Sequence, residues 1–453
     1  MSSRTRGLSS TSASVRAGGG RARRHGAPVR RPWWRTAVVL LLVLGVATAG
    51  ALALRERLDG GAVSLPPTAS PSPTAAAPAP SPTPSPTPEP VPDVRFTIGY
   101  AGDVLTHMPV IEDTAGGGGD IAPLIAGAVP WTAGVDLALC GMELPVSPIG
   151  VASGYPVFAS VPAVVTALAA SGYDGCATAS NHAWDQGFEG VLATADQLAA
   201  HGMGYAGTNR SEAEAATGYQ LYTLEREGVS VTVAQISTTY SLNGFVADPA
   251  WAVDLNDVAT VEARARAARA AGADVVVLHT QIGEEYLLEP VDAQREYAAA
   301  VAATGQVDLL LGAHPHVPQT NELLPGGPGG RGMWVSYSAG NFLSNQSEAQ
   351  GTVMAGIGLF VWADVVVSTA ADGSREARVE ALHWHPFTVD NDGGHRIIDL
   401  AAAQRGEVPE GCTLSPGEIA RRWEAVMATV NNATYSDEVP SPTGDGPVAL
   451  PRS

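Results

Sequence analysis

The chain has 453 residues with 26 basic and 45 acidic side chains, a net charge of -19, and every basic residue is an arginine. Nine of those arginines lie in residues 1–35, so the remainder carries 17 basic against 45 acidic groups, a net of -28. A surface that acidic disfavours nonspecific nucleic-acid binding and repels polyanions except at a locally positive site.

Residues 1–35 form a basic segment without one acidic residue, and residues 36–54 follow as 19 residues without a charge. About 20 apolar residues span a bilayer as a helix. Trp33 and Trp34 sit where an interface would lie, and the arginine excess predicts a cytoplasmic amino terminus. A cleaved signal peptide is the competing reading, since Ala47-Thr48-Ala49 and Ala51-Leu52-Ala53 both fit the small-x-small cleavage pattern. The apolar run exceeds a signal core, which favours a single-pass anchor with the main domain extracytoplasmic over a secreted product. Residues 55–93 read as a linker: twelve prolines between Pro66 and Pro92, with Ala, Ser and Thr, favour an extended spacer that builds no core.

From residue 94 the chain alternates strand-like and helix-like runs, enough for one large α/β domain over 94–390. The run Phe96–Ala101 delivers Gly102-Asp103, and Val135–Cys140 ends near Glu143. Val161-Pro162 marks a helix start, the helix Ala163–Ser171 follows, and the strand-like Gly175–Ser180 delivers Asn181-His182 with Asp185 close behind. Asp254–Ala271 reads as a helix, with Asp257 near its start, Glu262 and Arg266 at i,i+4, and Gly272 at its end. Val275–Leu278 then runs into His279, and Leu309–Gly312 into His314 and His316. Residues 391–453 form a less patterned extension, with a helix expected over Ile419–Val430 and a loose tail from Ser441. His383 and His385 alternate in an extended segment that reads as a structural edge strand.

Alternate residues of an extended segment point the same way, so His314 and His316 are expected to face one site. Taken alone, two solvated loop histidines are the commoner outcome. Five polar strand ends on one sheet edge change that balance, because packing does not explain them. Carboxylate and amide oxygens with imidazole nitrogens suit Mn, Fe or Zn better than Ca or Cu(I). The cysteines, Cys140, Cys176 and Cys412, show no C-x-x-C spacing, which speaks against a thiolate site. A bridge between Cys140 and Cys176 is open, although buried free thiols are the commoner fate of strand cysteines.

Gly102-Asp103, Glu143-Leu144-Pro145, Asn181-His182 with Asp185, His279 with Gly283-Glu284-Glu285-Tyr286, Gly312-Ala313-His314-Pro315-His316 and Ser338-Ala339-Gly340-Asn341-Phe342 occur in one order. This set resembles the CapA family of capsule-synthesis proteins linked to poly-γ-glutamate, within the calcineurin-like metallophosphoesterase superfamily. The resemblance implies a four-layer α/β fold, a β-sandwich flanked by helices, here preceded by the transmembrane helix and linker. It implies two divalent metal ions: Asp103 and His316 as ligands of the first, Glu143 as the bridging carboxylate, and Asn181, His279 and His314 as ligands of the second. His182 resembles the residue that contacts a phosphoryl oxygen or protonates a leaving group; Asp185, Glu285 and Asn341 are further candidates.

Two departures stand out. The superfamily opens with Asp-x-His, whereas here His107 lies four residues after Asp103, so His107 either replaces that ligand or sits in the loop. The family's Asn-Leu-Glu is Gly141-Met142-Glu143 in this chain, which removes one amide beside the metals. The implied function is a membrane-anchored protein of capsule or poly-γ-glutamate synthesis or export. It would belong to a polymer-assembly complex, act on an anionic polymer or phosphate ester, and lean toward metal-dependent hydrolysis. The alternatives are a surface metallophosphoesterase with an unrelated substrate and a noncatalytic assembly partner.

Overall fold

The computed structural model describes residues 92–452. The basic segment, the expected transmembrane helix and nearly all of the linker lie outside the described residues. Among the described residues, no helix is long and apolar enough to cross a membrane.

The elements that build the site run in chain order as β1 (Val94–Val104), β2 (Leu137–Met142), α1 (Pro162–Ala170), β3 (Gly175–Ala177), α2 (Gly187–Ala200) and β4 (Gly204–Ala206). Next come β5 (Gln220–Arg226), β6 (Val229–Thr239), α3 (Val258–Ala270), β7 (Val275–Gln281), α4 (Asp292–Ala303) and β8 (Leu309–Ala313). The chain ends with β9 (Asn321–Leu324), β10 (Met333–Ser336), β11 (Asn341–Leu343), β12 (Ile357–Thr369), β13 (Arg375–Asp390), β14 (Arg396–Asp399), α5 (Pro416–Thr429) and β15 (Val448–Ala449). They form two mixed sheets, ordered β14-β13-β12-β1-β2-β3-β4 with β11 beside β1, and β15-β5-β6-β7-β8-β10-β9. Within them β1 to β4 run parallel, as do β6, β7, β8 and β10.

The period of two along each strand assigns the layers. Phe96, Ile98 and Tyr100 of β1 pack in one core with Val231 and Val233 of β6, Val275 and Val277 of β7, and Leu309 and Leu311 of β8. The two sheets therefore stack face to face. The alternate residues Ile236, Val276, Leu278 and Leu310 pack on Val261 and Ala265 of α3 and Ala298 and Val301 of α4. On the far side, Ala138, Phe360 and Trp362 meet Val164 and Leu168 of α1 and Leu198 of α2. The result is helix, sheet, sheet, helix. Strands buried on both faces read as continuous apolar runs, which is why Val275–Leu278 shows no alternation.

Local signals hold with small shifts. Pro162 opens α1, Asp257 caps α3 by accepting from Thr260 N at 2.9 Å, and Glu262 pairs with Arg266 at 2.6 Å. Ser415 caps α5, which starts three residues before the expected Ile419. His383 and His385 lie on the part of β13 that pairs with β12 but not with β14, as an edge segment does; His385 is nonetheless buried, bonds Asp399 at 2.9 Å and stacks on Trp131. Two readings change. The tail is not loose: β15 pairs with β5, and Thr443 N donates to Asp136 at 2.6 Å. Cys140 and Cys176 stand directly opposite on β2 and β3 and are disulfide-bonded, while Cys412 stays free.

One buried ion pair fastens these parts. Arg226, at the end of β5, donates to Asp136 at 2.7 Å, and the same carboxylate accepts from Thr97 N and Thr443 N, so one group joins both sheets and the tail. Removing one partner of a buried pair leaves an uncompensated charge and costs about 3–5 kcal/mol. Arg226→Ala is therefore expected to lower the free energy of unfolding by about that amount. Denaturant titration of the full chain checks it, and a loss under about 1 kcal/mol would contradict this role.

Candidate metal centre

The carboxyl ends of the parallel strands in both sheets converge on one edge of the sandwich, where an open α/β sheet places its ligands. Asp103 ends β1, Glu143 follows β2, Asn181 and His182 follow β3, His279 lies near the end of β7, and His314 and His316 follow β8. Gly102 is required there: a Cβ on it would lie 2.0 Å from the carbonyl oxygen of Gly340. That close approach lets Asp103 N donate to Gly340 O at 2.9 Å and brings Asn341 into register with Asp103.

Asp103, Glu143 and His316 place ligand atoms within 4.8 Å of one another, and so do Glu285, His314 and His316. His316 Nε2 lies 3.7 Å from Glu143 Oε1, and His316 Nδ1 lies 3.6 Å from Asp103 Oδ2. The two groups share an imidazole. Asp103, Glu143 and His316 come together as the sequence suggests, and Glu285 joins His314. His279 lies outside both groups, yet it and Asn181 carry one mark in common: Asn181 Oδ1 and His279 Nδ1 are buried without a partner.

That mark defines the centre. Asp103 Oδ1, both Glu143 oxygens, Asn181 Oδ1, His279 Nδ1 and His314 Nδ1 are buried with no hydrogen-bond partner. Buried polar atoms are normally satisfied, and a cluster of lone pairs without donors is what a cation fills. The donor set of carboxylate, amide and imidazole fits Mn, Fe or Zn.

The electrostatics agree. Burial pushes the Asp103 carboxyl up to about 7, against hydrogen bonds from His314 N and Gln281 that pull it down. Burial, then repulsion from Asp103, Glu285 and Asp185, raises Glu143 well above the carboxylate range. Burial holds His279 and His316 at about 3 and His314 at about 4, so these imidazoles are neutral at physiological pH, the form that can ligate a metal.

Several side chains orient the rest. Buried Asn341 accepts from His316 Nδ1 at 3.0 Å and returns its amide to His316 O at 3.1 Å, which leaves Nε2 free toward Glu143. Tyr100 OH bonds His279 Nε2 at 2.6 Å, leaving Nδ1 as the free nitrogen. Asp185 Oδ2 bonds His182 Nδ1 at 2.8 Å, so His182 presents Nε2 to the cleft above the centre. His107 lies on the cleft wall, accepting from Asn345 N at 3.2 Å and meeting Phe158 edge-on, outside both ligand groups.

The convergence of His314 and His316 has a different cause from the expected strand alternation. β8 ends at Ala313, and both histidines adopt positive φ, 96° and 57°. Such backbone costs about 1–3 kcal/mol per residue and persists where surrounding structure holds it. Sequence reasoning also missed Tyr100, Gln281, Asn243, which accepts from Asn181 Nδ2 at 3.4 Å, and Tyr240, whose ring centre lies 4.5 Å from that of His314. Tyr100 gives no signal apart from an ordinary core tyrosine. Gln281 was findable: it lies two residues after His279 on one strand, on the same face, and accepts from Asn181 N at 2.8 Å.

The family described as bacterial capsule synthesis protein PGA_cap matches residues 97–346. The chain is similar to the PGA biosynthesis protein CapA of Bacillus subtilis, 30% identical over 182 residues, covering 37% of this chain and 42% of that protein. It is also similar to the capsule biosynthesis protein CapA of Bacillus anthracis, 35% identical over 83 residues, 18% of each chain. The matched stretches thus span less than half of these relatives. Among solved structures, the NAD nucleotidase of Haemophilus influenzae aligns with a TM-score of 0.39 and 13% identity, covering 77% of this chain and 65% of that one. The calcineurin-like phosphoesterase YfkN of Bacillus subtilis aligns with a TM-score of 0.37 and 15% identity, covering 74% of this chain and 98% of that one.

Two outcomes follow from the geometry. Losing the partner that orients a ligating histidine typically costs 10–100-fold in metal affinity, so Asn341→Ala is expected to weaken uptake by about that factor while the fold persists. A chelator-competition titration with circular dichroism alongside measures both. A carboxyl group must lose its proton to ligate a metal, and burial holds that of Asp103 up to about 7, so metal affinity is expected to fall as pH drops through 7. Asp103 alone predicts about a tenfold loss from pH 8 to pH 6, with the neutral imidazoles adding nothing in that window. The same titration at several pH values reads it, and a flat profile would contradict the buried-carboxyl account.

Proposed function

The chain belongs to the bacterial capsule synthesis protein family, and from that premise we propose that it is a membrane-anchored, extracytoplasmic CapA-like protein of capsule or poly-γ-glutamate synthesis, working through a dinuclear metal centre. The observation that carries the reading is the cluster of six buried lone-pair atoms without donors at the strand ends. In this reading Asp103, Glu143 and His316 would hold one ion, and His314 with Asn181, His279 and Glu285 would hold the second.

Bound there, a pair of divalent ions supplies Lewis acidity toward an oxyanion and favours a metal-dependent hydrolase of phosphoesterase type. The chain's own residues supply the remainder. His182, fixed through Nδ1 by Asp185, offers Nε2 to a reacting oxygen and can hold the proton that a leaving group takes. Asn341 and Tyr100 keep the ligand imidazoles in one tautomer and one orientation. The uncharged run 36–54 behind nine arginines supports a single-pass anchor with the amino terminus inside, and an acidic outer domain supports a place in a polymer-assembly complex rather than on nucleic acid.

Elemental analysis of the purified full chain is expected to find about two equivalents of Mn, Fe or Zn, lost in a His279→Ala/His314→Ala variant. In producing cells, Asp103→Ala is expected to abolish surface polymer while the protein remains at the membrane. No metal bound or taken up on reconstitution, or unaltered polymer in the variant, would leave an assembly partner without metal chemistry.

A further inference from the structure

Above the candidate metal centre lies a cleft of about 590 Å³ with a polar floor and walls that carry large apolar side chains beside uncharged polar ones such as Asn243, Asn345 and Gln346. Asn181, His182 and His316 form the floor; Tyr155, Val157, Phe158 and Phe245 are among the walls. Among the described residues that line it there is no arginine, and the chain contains no lysine. An extended polyanion would find imidazoles and Glu285 here, but no guanidinium to pair successive carboxylates.

The two loops that carry these walls are uncharged. Segments 145–160 and 239–247, 25 residues in all, contain no Asp, Glu, Arg or His, although 16% of the chain is charged and about four such residues would be expected. They hold apolar side chains out in solvent instead: Tyr155 is 87% exposed, Val246 84% and Phe245 45%. Large apolar groups gathered at the mouth of a polar site mark a ligand surface.

The Tyr155 loop is also tied to the reacting end. Phe158 N donates to Asp185 Oδ2 at 2.8 Å, the same oxygen that holds His182. Gln186 Nε2 donates to Phe158 O at 2.9 Å. Phe158 meets His182 edge-on with ring centres 4.8 Å apart, and Tyr155 meets Phe158 at 6.2 Å. An aromatic ladder therefore runs from His182 through a buried Phe158 to an exposed Tyr155.

We propose that this cleft binds a ligand in which a single oxyanion is joined to an apolar or aromatic body, the oxyanion at the Asn181–His182–His316 floor and the body along Phe158, Tyr155 and Phe245. The inference rests on the metal reading of the floor and adds the substrate class: an amphiphile, such as a phosphate ester of an apolar alcohol, rather than the polymer itself. Tyr155 and Phe245 then set specificity, and the shared Asp185 keeps the body in register with His182.

The test uses the full chain in lipid nanodiscs, loaded with Mn and checked by elemental analysis, titrated calorimetrically with methylphosphonate, phenylphosphonate and a γ-glutamyl tripeptide against empty nanodiscs. Burying a phenyl group on these walls predicts about a tenfold or greater preference for phenylphosphonate over methylphosphonate. In a Tyr155→Ser/Phe245→Ser variant, both sites being exposed, the ratio of the two affinities is expected to collapse toward one. Equal affinities in the parent protein, or a tripeptide bound more tightly than phenylphosphonate at physiological salt, would overturn the inference while leaving the metal centre standing. Protein that holds metal but binds no phosphonate would also overturn it, and protein that holds no metal would remove the reading on which it rests.

Discussion

Two carboxyl groups, Asp103 and Glu143, are buried within reach of one imidazole where the two sheets meet, and no arginine pairs with either among the described residues. Burying an unpaired charge is costly, and a carboxyl in that position either keeps its proton or finds a cation. The rise of both groups out of the carboxylate range expresses the first solution, and the unpartnered lone pairs around them prepare the second. Much of the local structure serves that arrangement. Gly102 lies against Gly340, Asn341 clamps His316, and Tyr100 takes up one nitrogen of His279. The positive φ of His314 and His316 is held between β8, which is buried, and the Asn341 clamp behind.

The two ligand groups are not equivalent. Asp103, Glu143 and His316 are all buried and come from strand ends whose cores interlock across the sandwich. The second group reaches outward to Glu285, an exposed residue on the loop after β7. Sites built on strands are held more precisely than sites on loops. The geometry therefore implies one tightly defined position and one that depends on the β7 loop, with His316 coupling the two.

Much of this was legible in sequence because the fold relies on local rules. Continuous apolar runs at β7 and β8 announced strands buried on both faces, and the polar residues that end them announced the site. Pro162, Asp257 and Gly272 marked helix boundaries through their backbone preferences. What was not legible depends on distance through space. Glu285 is a candidate in the sequence, but its place beside His314 is not, because it arrives through a loop whose path no periodicity describes. Tyr100 differs from a core tyrosine only because His279 arrives from the other sheet, 179 residues later. The pairing of β15 with β5 closes more than 220 residues and the bond from Thr443 to Asp136 closes 307, and the tail's composition gives no sign of either. Strand alternation predicted that His314 and His316 would converge, yet left-handed backbone is what brings them together.

The same distances frame how an acidic body handles an acidic ligand. The chain beyond its basic segment carries a net charge of -28, and at physiological ionic strength that charge is felt over about 8 Å. A single oxyanion at the floor of the cleft would meet bound cations at contact, where their attraction outweighs the diffuse repulsion of the body. A long polyanion leaving the cleft would carry its remaining charges across the negative surface with nothing cationic on the walls to offset them. Uncharged loops at the mouth remove like-charge repulsion from the path and replace it with apolar contact. The rim and the centre are therefore two parts of one solution: positive charge is confined to the floor, where ions would sit, and selection along the walls is left to shape and hydrophobicity.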